Sequence, residues 1–361
     1  MAEPAVAAFA VDAGGCQLVW RSLPAGRHRL GVGPRSVEVA GDGGPGAVWV
    51  DGLPPDSVLP LTVGGRPAGE VRTRPALGGG VVARVATVSD LHLGQAAIGR
   101  LPRLTGLPHH RCLAAALGEI VAWGADLLVV KGDVTEAGRA REWEDAVGLL
   151  AATGLPVVVT LGNHDVREAD RCDPRPIVAA AGLTLTPAGG VEVRDLPGLR
   201  VVVGDTTSPD RNIGTFGHIG DDVVAAVEDA TGAVLVAVHH HLQPLPLPHH
   251  WPPGIPSPQA RRLAARLAAA GRPVILSSGH THRHRARRYG TVRATEVGSV
   301  KDYPGVWAGY EAHPGGLRQV VRRVGAPDVL RWTDRTAATA LGLWGRWSPG
   351  RLENRCLEVG T

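Results

Sequence analysis

The sequence predicts an α/β protein preceded by a small all-β segment, because the chain contains two regions with different hydrophobic patterns. From Val81 onward, short apolar runs typical of buried strands alternate with stretches whose apolar residues recur at helical spacing. Residues 5–80 instead contain short alternating segments, such as 17–21 and 47–50, separated by Gly, Pro and Asp turns, which favours small antiparallel strands. Residues 76–80 have the composition of a linker, so we predict two units, 1–80 and 81–361.

The second unit alternates strands and helices with few interruptions. Apolar runs predict strands at 81–88, 126–130, 156–161, 199–203, 234–238, 273–278 and 291–297. Helical spacing predicts helices at 111–123, 142–150, 222–230 and 259–270. Near the carboxyl end, 307–311 and 317–324 are predicted to extend one sheet, and the rest of 301–361 to cover the surface.

Composition excludes several classes of protein. A hydrophobic fraction of 44% and a charged fraction of 20% over 361 residues fit a soluble globular protein. The net charge of +4 comes without a stripe of arginine and aromatic residues, which disfavours nucleic acid as a partner. No apolar run has the length of a membrane span, and residues 1–4 carry no basic cluster. We therefore expect no membrane anchor, no secretory signal and a cytoplasmic location.

Clusters of Asp, Asn and His stand at the ends of five predicted strands. Asp90 and His92 follow the first, and their spacing of two residues lets both side chains point to one side. Ligand sites in α/β sheets collect beyond the carboxyl ends of strands, so the five clusters are expected to converge. The other four clusters are Gly132-Asp133, Gly162-Asn163-His164-Asp165, His239-His240-His241 and Gly279-His280-Thr281-His282.

The donor types in these clusters indicate metal ions. Two carboxylates, one amide oxygen and four imidazoles suit Mn, Fe or Zn better than Ca or Mg, and they lack the thiolates of a structural zinc site. Seven ligands exceed what one ion takes from protein while keeping open positions, so we predict two divalent ions that share a carboxylate. The predicted ligands are Asp90, His92, Asp133, Asn163, His239, His280 and His282.

The ordered series Asp-x-His, Gly-Asp, Gly-Asn-His-Asp, His and Gly-His-x-His resembles the calcineurin-like metallophosphoesterase superfamily over residues 84–300. This resemblance implies a four-layer αββα sandwich, with two mixed sheets between layers of helices. It implies one metal held by Asp90, His92 and His282, a bridging Asp133, and a second metal completed by Asn163, His239 and His280. It also implies that His164 stabilises developing charge or protonates the leaving oxygen, and that Asp165 orients its ring.

Two details of this resemblance stay open in the sequence. His239, His240 and His241 all follow one strand, and His239 is chosen over His240 because it comes first after the strand. His284 continues the spacing of His280 and His282 but is one histidine too many, so it is predicted to be peripheral to the metal site.

Purple acid phosphatases carry a metal-binding tyrosine shortly after the Gly-Asp block, and residues 134–138 contain none. The sequence is more similar to bacterial phosphodiesterases of the superfamily, including those that act on cyclic nucleotides.

Other segments receive more modest predictions. Residues 50–75 resemble the second half of a fibronectin type III sandwich. The pairs His109-His110 and His249-His250 lie in Pro-flanked stretches and are predicted to be solvated or at a substrate rim. The Pro-rich stretch 242–258, which contains Trp251, is predicted to form a wall of the cleft.

The predicted activity is hydrolysis of a small phosphoester with two divalent metals, and a phosphodiester is favoured over the alternatives. A phosphomonoesterase is the first alternative, and a nuclease is disfavoured by the modest charge. A metal-binding scaffold without turnover is the third, but a scaffold has no need of a leaving-group acid such as His164. The sequence leaves open the natural substrate, the metals and the oligomeric state.

Overall fold

A computed structural model of the protein describes residues 6–96, 108–207 and 217–360. The prediction that the chain has no secretory signal depends on residues 1–4, which lie outside the described residues. None of the described helices combines the length and the apolar character needed to cross a bilayer.

The amino-terminal segment is a β-sandwich of two antiparallel sheets, as the alternating pattern predicts. One sheet has the order β1-β2-β5 and the other β4-β3-β6-β7. Leu18, Leu30, Val32 and Leu61 fill the core between them. The strands span Val6–Val11 (β1), Gly15–Trp20 (β2), Gly26–Val32 (β3), Arg35–Gly41 (β4), Gly46–Asp51 (β5), Val58–Val63 (β6) and Arg66–Arg72 (β7). The finer resemblance to fibronectin type III stays a prediction.

The sandwich packs directly on the rest of the chain. Phe9 and Ala10 of β1 belong to the same apolar core as residues of the α/β region. Gln17 exchanges two hydrogen bonds with the main chain of Arg323, at 2.7 and 2.8 Å. Asp12 accepts a hydrogen bond from Arg318 at 2.8 Å. These contacts join the two units closely, and the boundary at residue 80 stays a prediction.

The α/β region contains two mixed sheets. The first has seven strands in the order β11-β10-β9-β8-β18-β19-β20, and the second has six in the order β12-β13-β14-β15-β17-β16. Strands β8 to β11 run parallel, as do β13, β14, β15 and β17. The strands of the seven-stranded sheet span Ala83–Val88 (β8), Leu127–Lys131 (β9), Val157–Thr160 (β10), Thr184–Leu185 (β11), Val306–His313 (β18), Gly316–Arg323 (β19) and Cys356–Gly360 (β20). Those of the six-stranded sheet span Val191–Leu196 (β12), Leu199–Gly204 (β13), Ala233–Val238 (β14), Val274–Ser278 (β15), Arg285–Tyr289 (β16) and Val292–Glu296 (β17).

Helices cover the outer face of each sheet. Helices α1, α2 and α7 share an apolar core with the seven-stranded sheet, and α5 and α6 share one with the six-stranded sheet. A third core, which includes Val129, Val203 and Leu235, lies between the sheets. The helices span His109–Trp123 (α1), Ala140–Ala151 (α2), Asn163–Val166 (α3), Arg175–Ala180 (α4), Asp222–Glu228 (α5), Ser257–Ala269 (α6), Pro327–Thr336 (α7), Leu343–Trp347 (α8) and Leu352–Arg355 (α9). This confirms the predicted four-layer αββα sandwich.

The carboxyl-terminal residues differ from the prediction that they only cover the surface. Residues 356–360 form β20, which pairs with β19 and widens the seven-stranded sheet. Cys356 is buried there, and its sulfur accepts a hydrogen bond from the Val11 amide at 3.2 Å. A five-residue strand whose partner is distant in sequence gives too short a pattern to be recognised.

Candidate metal centre

Strand ends from both sheets deliver the predicted ligands to one place. Asp90 and His92 follow β8, Asp133 follows β9, and Asn163 begins the short helix α3 after β10. These residues come from the seven-stranded sheet. His239 follows β14, and His280 and His282 follow β15 of the six-stranded sheet. The centre therefore lies where the carboxyl ends of two groups of parallel strands meet.

The backbone is strained at this place. Asp90, His92, Asp133, His280 and His282 all have positive φ, between 48° and 69°. Among the other described non-glycine residues, only Asp56, Ala340 and Leu341 do so. A left-handed conformation costs an ordinary residue of order 1–2 kcal/mol, and such strain gathers at functional sites. Five donors in this conformation lie in one cluster. The placement of their side chains is therefore maintained at a cost in local backbone stability, as is typical of a functional site.

Two glycines allow the strand ends to approach each other. A Cβ at Gly132, which has φ of +77°, would lie 2.7 Å from the Gly162 nitrogen and from Nδ1 of His239. A Cβ at Gly279 would collide with the Ser89 hydroxyl. The glycines of the Gly-Asp and Gly-His blocks are therefore needed for close backbone contact.

The first group of donors comprises Asp90, His92 and His282, whose ligand atoms lie within 4.8 Å of one another. Nε2 of His282 is 3.3 Å from Oδ1 of Asp90 and 3.3 Å from Nε2 of His92. Oδ2 of Asp133 is 3.6 Å from Nε2 of His92, which brings this carboxylate to the edge of the group.

The second group lies on the other side of Asp133. Oδ1 of Asp133 is 3.4 Å from Nε2 of His239. The same nitrogen is 3.1 Å from Oδ1 of Asn163 and 3.2 Å from Nδ1 of His280. The two oxygens of Asp133 thus face different groups, which suits a carboxylate shared by two ions.

Each of the four histidines has one ring nitrogen committed to an oxygen outside the cluster. His92 donates through Nδ1 to Glu136 at 2.8 Å, and His282 donates through Nδ1 to Asp302 at 2.7 Å. The other two donate to main-chain carbonyl oxygens at 2.8 Å, His239 through Nδ1 to Lys131 and His280 through Nε2 to Pro252. In the neutral ring this fixes the tautomer and turns the lone pair of the opposite nitrogen towards the cluster, which is the usual support of a metal-bound histidine.

The structure separates His239 from His240. His239 contacts both Asp133 and Asn163 through Nε2. His240 contacts the Thr206 hydroxyl through Nδ1 at 2.9 Å, and its Nε2 has no hydrogen-bond partner in the described part of the chain. His240 also groups with His239 and His280 at metal-binding distances. The contacts favour His239 as the ligand, and this choice stays a prediction.

The donor set fits divalent cations. Asp90 and Asp133 are buried, and among the described residues their ion-pair partners are imidazoles. Burial alone would raise the pKa of Asp90, but the charge of His282 and its hydrogen bond outweigh burial and lower that pKa well below its usual range. Burial alone would lower the pKa of His282, but Asp302 and Asp90 raise it to about 10. The carboxylates thus favour positive charge here, which a bound cation would supply.

His164 lies beside the cluster and is oriented by Glu136. Its ring contacts the His92 ring edge-on, with centroids 4.4 Å apart. Nδ1 of His164 is 3.2 Å from the carbonyl oxygen of Glu136 and 3.4 Å from Oε2 of the same residue. Nη1 of Arg167 lies 3.1 Å from Nε2 of His164, and Nη2 of Arg167 donates to Oε1 of Glu136 at 3.0 Å. Glu136 therefore connects His164 to His92.

The expectation that Asp165 orients the His164 ring needs correction. Asp165 is the third residue of α3, and its carboxylate turns back towards the start of that helix. It accepts hydrogen bonds from the amides of Gly162 at 2.8 Å and Thr135 at 2.9 Å, and from the Thr135 hydroxyl at 2.6 Å. Burial, with the nearby charge of Asp133, raises the pKa of Asp165 to about 6. Asp165 holds the Gly-Asp and Gly-Asn-His-Asp turns together.

Two other histidines are buried. His109 differs from its prediction: it is not solvated but begins α1, and it donates through Nδ1 to the carbonyl oxygen of His92 at 2.8 Å. His284 is fully buried, accepts a hydrogen bond from the Gly298 amide at 3.2 Å and belongs to neither donor group, so its peripheral role at the site stays a prediction.

A cleft of about 420 Å³ opens over the donor groups. His250, Trp251 and Pro252 line it, in agreement with the prediction that residues 242–258 form a wall. The carboxyl-terminal segment, predicted to cover the surface, also lines it through Thr336, Thr339, Ala340 and Trp344. Lys301 and Gln95 complete the polar lining.

Replacing Asp302 with asparagine is expected to weaken binding of one divalent ion by roughly 10- to 100-fold, because His282 would lose the carboxylate that fixes its tautomer. Calorimetric titration of the metal-free protein with Mn²⁺ measures this. Asp328→Asn is the control, since Asp328 is an exposed carboxylate paired with Arg111. Equal Mn²⁺ affinity in Asp302→Asn and parent protein would contradict the assignment of His282.

Two mixed sheets between helices, with oxygen and nitrogen donors gathered beyond the strand ends, define the metallophosphoesterase type of α/β sandwich. The chain belongs to the calcineurin-like phosphoesterase family, because a sequence model of that family matches residues 83–284, more than half of the chain. The family predicted from the motifs is thereby confirmed.

Known relatives are similar over part of their length. The chain is 30% identical over 172 residues to the 3′,5′-cyclic adenosine monophosphate phosphodiesterase CpdA of Pseudomonas aeruginosa, covering 46% of this chain and 58% of that protein. It is 26% identical over 157 residues to a probable cyclic nucleotide phosphodiesterase of Synechococcus, covering 43% and 57%. The chain thus spans less than three fifths of these curated relatives.

A solved structure supports the fold. The chain superimposes on a dimetal phosphatase from Danio rerio with a TM-score of 0.51 and 12% identity, covering 68% of this chain and 97% of that one. At this identity the likeness concerns the fold alone.

Proposed function

We propose that this protein hydrolyses phosphodiesters at a centre that holds two divalent cations. The observation that carries the proposal is the set of four imidazoles, each with one nitrogen bonded to an outer oxygen. The other nitrogen faces Asp90 or Asp133 in three of them, and in His280 it lies 3.2 Å from Nε2 of His239. Family membership supports the same conclusion.

Two sets of residues would hold the cations. Asp90, His92 and His282 would bind one and Asn163, His239 and His280 the other, with Asp133 shared between them. When bound, the two ions would polarise the phosphoryl oxygens and lower the pKa of the attacking water. Mn, Fe and Zn suit this mixture of oxygen and nitrogen donors.

His164 would hold a proton for the leaving oxygen. Burial lowers the pKa of His164, but its hydrogen bond to Glu136 and the charge of Asp133 outweigh burial and raise that pKa overall. A raised pKa keeps the imidazole protonated over more of the neutral range, which suits a general acid. Glu136 orients the ring, whereas the charge of Arg167, 3.1 Å from Nε2, opposes the rise in pKa without reversing it.

Support for a diester over a monoester comes from the relatives and the cleft walls. The two curated relatives are named as cyclic nucleotide phosphodiesterases. Trp251, Pro252 and Trp344 give the cleft apolar and aromatic surface. Such surface suits the base or aryl group that a diester carries beyond its phosphate. Cyclic nucleotides are therefore the first substrates to test.

The test compares esters on protein reconstituted with Mn²⁺. We expect bis(p-nitrophenyl) phosphate to be hydrolysed with a kcat/KM at least about tenfold above that of p-nitrophenyl phosphate, and 3′,5′-cyclic AMP to be turned over. A preference for the monoester would make the protein a phosphomonoesterase, and faster cleavage of DNA would make it a nuclease. No turnover of any ester would leave a metal-binding scaffold.

Removing the metals is expected to abolish hydrolysis and to destabilise the fold. Mn²⁺ at 100 times its dissociation constant should raise the free energy of unfolding by about 2.7 kcal/mol per site, because it binds the folded state alone. Chelation followed by Mn²⁺ addition, with activity and thermal unfolding measured at each step, checks both effects. Full activity in metal-free protein would overturn the proposal.

The cytoplasmic location stays a prediction.

A further inference from the structure

Lys301 is unusual both in the sequence and in the cleft. Lys131 and Lys301 are the only lysines among 38 basic residues, the rest being arginine. Both are buried, with 0% of Lys131 and 2% of Lys301 exposed. Lys301 alone of the two lines the cleft over the donor groups. The Lys301 side chain thus lies at the cleft, with its ammonium group 3.4 Å from Oδ2 of Asp302, the oxygen that accepts the hydrogen bond from His282.

The main chain of Lys301 is fixed relative to the donor groups. Its amide donates to the Ser299 hydroxyl at 3.1 Å, and that hydroxyl donates to the carbonyl oxygen of Asp90 at 2.8 Å. Its carbonyl oxygen accepts a hydrogen bond from the Trp332 indole of α7 at 2.7 Å. Lys301 therefore keeps a set position with respect to Asp90.

The ammonium group of Lys301 is poorly satisfied by the protein. It carries three N–H donors. Within the described ranges its one hydrogen-bond partner is Oδ2 of Asp302, at 3.4 Å. Charge-assisted bonds of this kind are ordinarily about 2.7–2.9 Å long, and the same oxygen already accepts the shorter bond from His282. A buried cation with unused donors is costly unless something else pairs with it.

We propose that Lys301 binds a non-bridging phosphoryl oxygen of the substrate, and of the phosphomonoester product, in the cleft. This inference rests on the proposed function, since it assigns a residue that binds the phosphoryl group in the same centre. A compact ammonium reaches such an oxygen as a point charge, whereas the forked guanidinium of arginine needs more room. The lysine in an arginine-rich chain is consistent with that requirement.

The competing interpretation is that Lys301 only neutralises Asp302. In that case loss of the Lys301 ammonium group would affect His282 and would weaken metal binding, as the loss of Asp302 is expected to do. Loss of a phosphoryl contact would instead weaken phosphate binding while metal content stayed the same. The two interpretations therefore differ in a measurable quantity other than rate.

Arg331 offers a control for the loss of one positive charge. It lies on α7, is half-exposed, and donates to Oδ2 of Asp42 at 2.9 Å. It does not line the cleft over the donor groups. Arg331→Met removes one positive charge, as Lys301→Met does, so it controls for the change in net charge.

The test measures inorganic phosphate binding to the Mn²⁺-loaded full chain by calorimetry. A hydrogen bond to a charged group contributes about 1.5–3 kcal/mol, so Lys301→Met should raise the phosphate Kd by roughly 10- to 100-fold. Arg331→Met should change it by less than about threefold. Lys301→Gln, which keeps a polar side chain, serves as a second variant if the methionine variant does not fold. Metal content and the thermal midpoint are measured for each.

The outcomes separate this inference from the proposed function. An unchanged phosphate Kd in metal-loaded Lys301→Met and Lys301→Gln would overturn it. Loss of metal from both variants to the extent seen in Asp302→Asn would overturn it too, in favour of charge neutralisation. If parent protein hydrolysed no ester yet bound phosphate in a Lys301-dependent way, the inference would stand while the proposed activity fell.

Discussion

Asp133→Asn protein is expected to hydrolyse phosphodiesters at least about 10³-fold more slowly than the parent, because the ions supply several kcal/mol of transition-state stabilisation. The two oxygens of Asp133 face different donor groups, His92 on one side and His239 on the other. Asparagine has nearly the same shape but lacks the charge, so it can no longer be shared by two cations. Mass spectrometry should find one metal ion per chain or fewer, against two in the parent.

Asp205→Asn is the matched control for this experiment. Asp205 is also a buried carboxylate at a strand end, after β13, but its oxygens accept hydrogen bonds from Gly189 and Thr207. Its replacement should change the rate by less than about twofold once the protein is folded. If Asp133→Asn kept the parental rate and both metals, the proposed centre would be abandoned.

His164→Ala protein is expected to lose about 10²- to 10⁴-fold in kcat on esters with alkoxide leaving groups, such as 3′,5′-cyclic AMP. The loss should be far smaller for p-nitrophenyl esters, since a nitrophenolate leaves without a proton. This difference arises because His164 stands beside the cluster with a raised pKa and an orienting carboxylate, Glu136. Rates over a series of leaving groups measure it directly.

Metal content decides how the His164 result is interpreted. His164 lies outside the proposed ligand set, so its alanine variant should retain both ions. His110→Gln is the control, because His110 is an exposed histidine paired with Asp145 on α1 and α2. Equal losses on alkoxide and nitrophenyl esters would show that His164 has no role in protonating the leaving group.

The family could be identified from sequence because its motifs are local. Each cluster follows directly on an apolar strand, so Asp-x-His, Gly-Asp and Gly-His-x-His are visible as short blocks. The parallel alternation of strands and helices then requires the strand ends to lie at one edge. Predicting that the strand ends converge does not require knowing which residues distant in sequence contact each other. The same alternation of strands and helices is what the αββα fold class is predicted from.

The residues that support the donors were not predictable in the same way. Glu136 contacts His92 across 44 positions, and Asp302 contacts His282 across 20. Neither carboxylate stands in a motif, and Asp165, which does, turned out to cap its own helix. A short carboxylate reaches whichever N–H the backbone brings near, and a linear pattern does not encode that.

The amino-acid sequence by itself determined the fold class, the family and the residue types at each strand end, because these depend on periodicity and on neighbours in the chain. Only the tertiary structure decided that Glu136 orients His164, that His239 contacts Asn163, and that the carboxyl-terminal segment and Lys301 line the cleft. Those features depend on the register between two sheets, which is set by packing across the whole core.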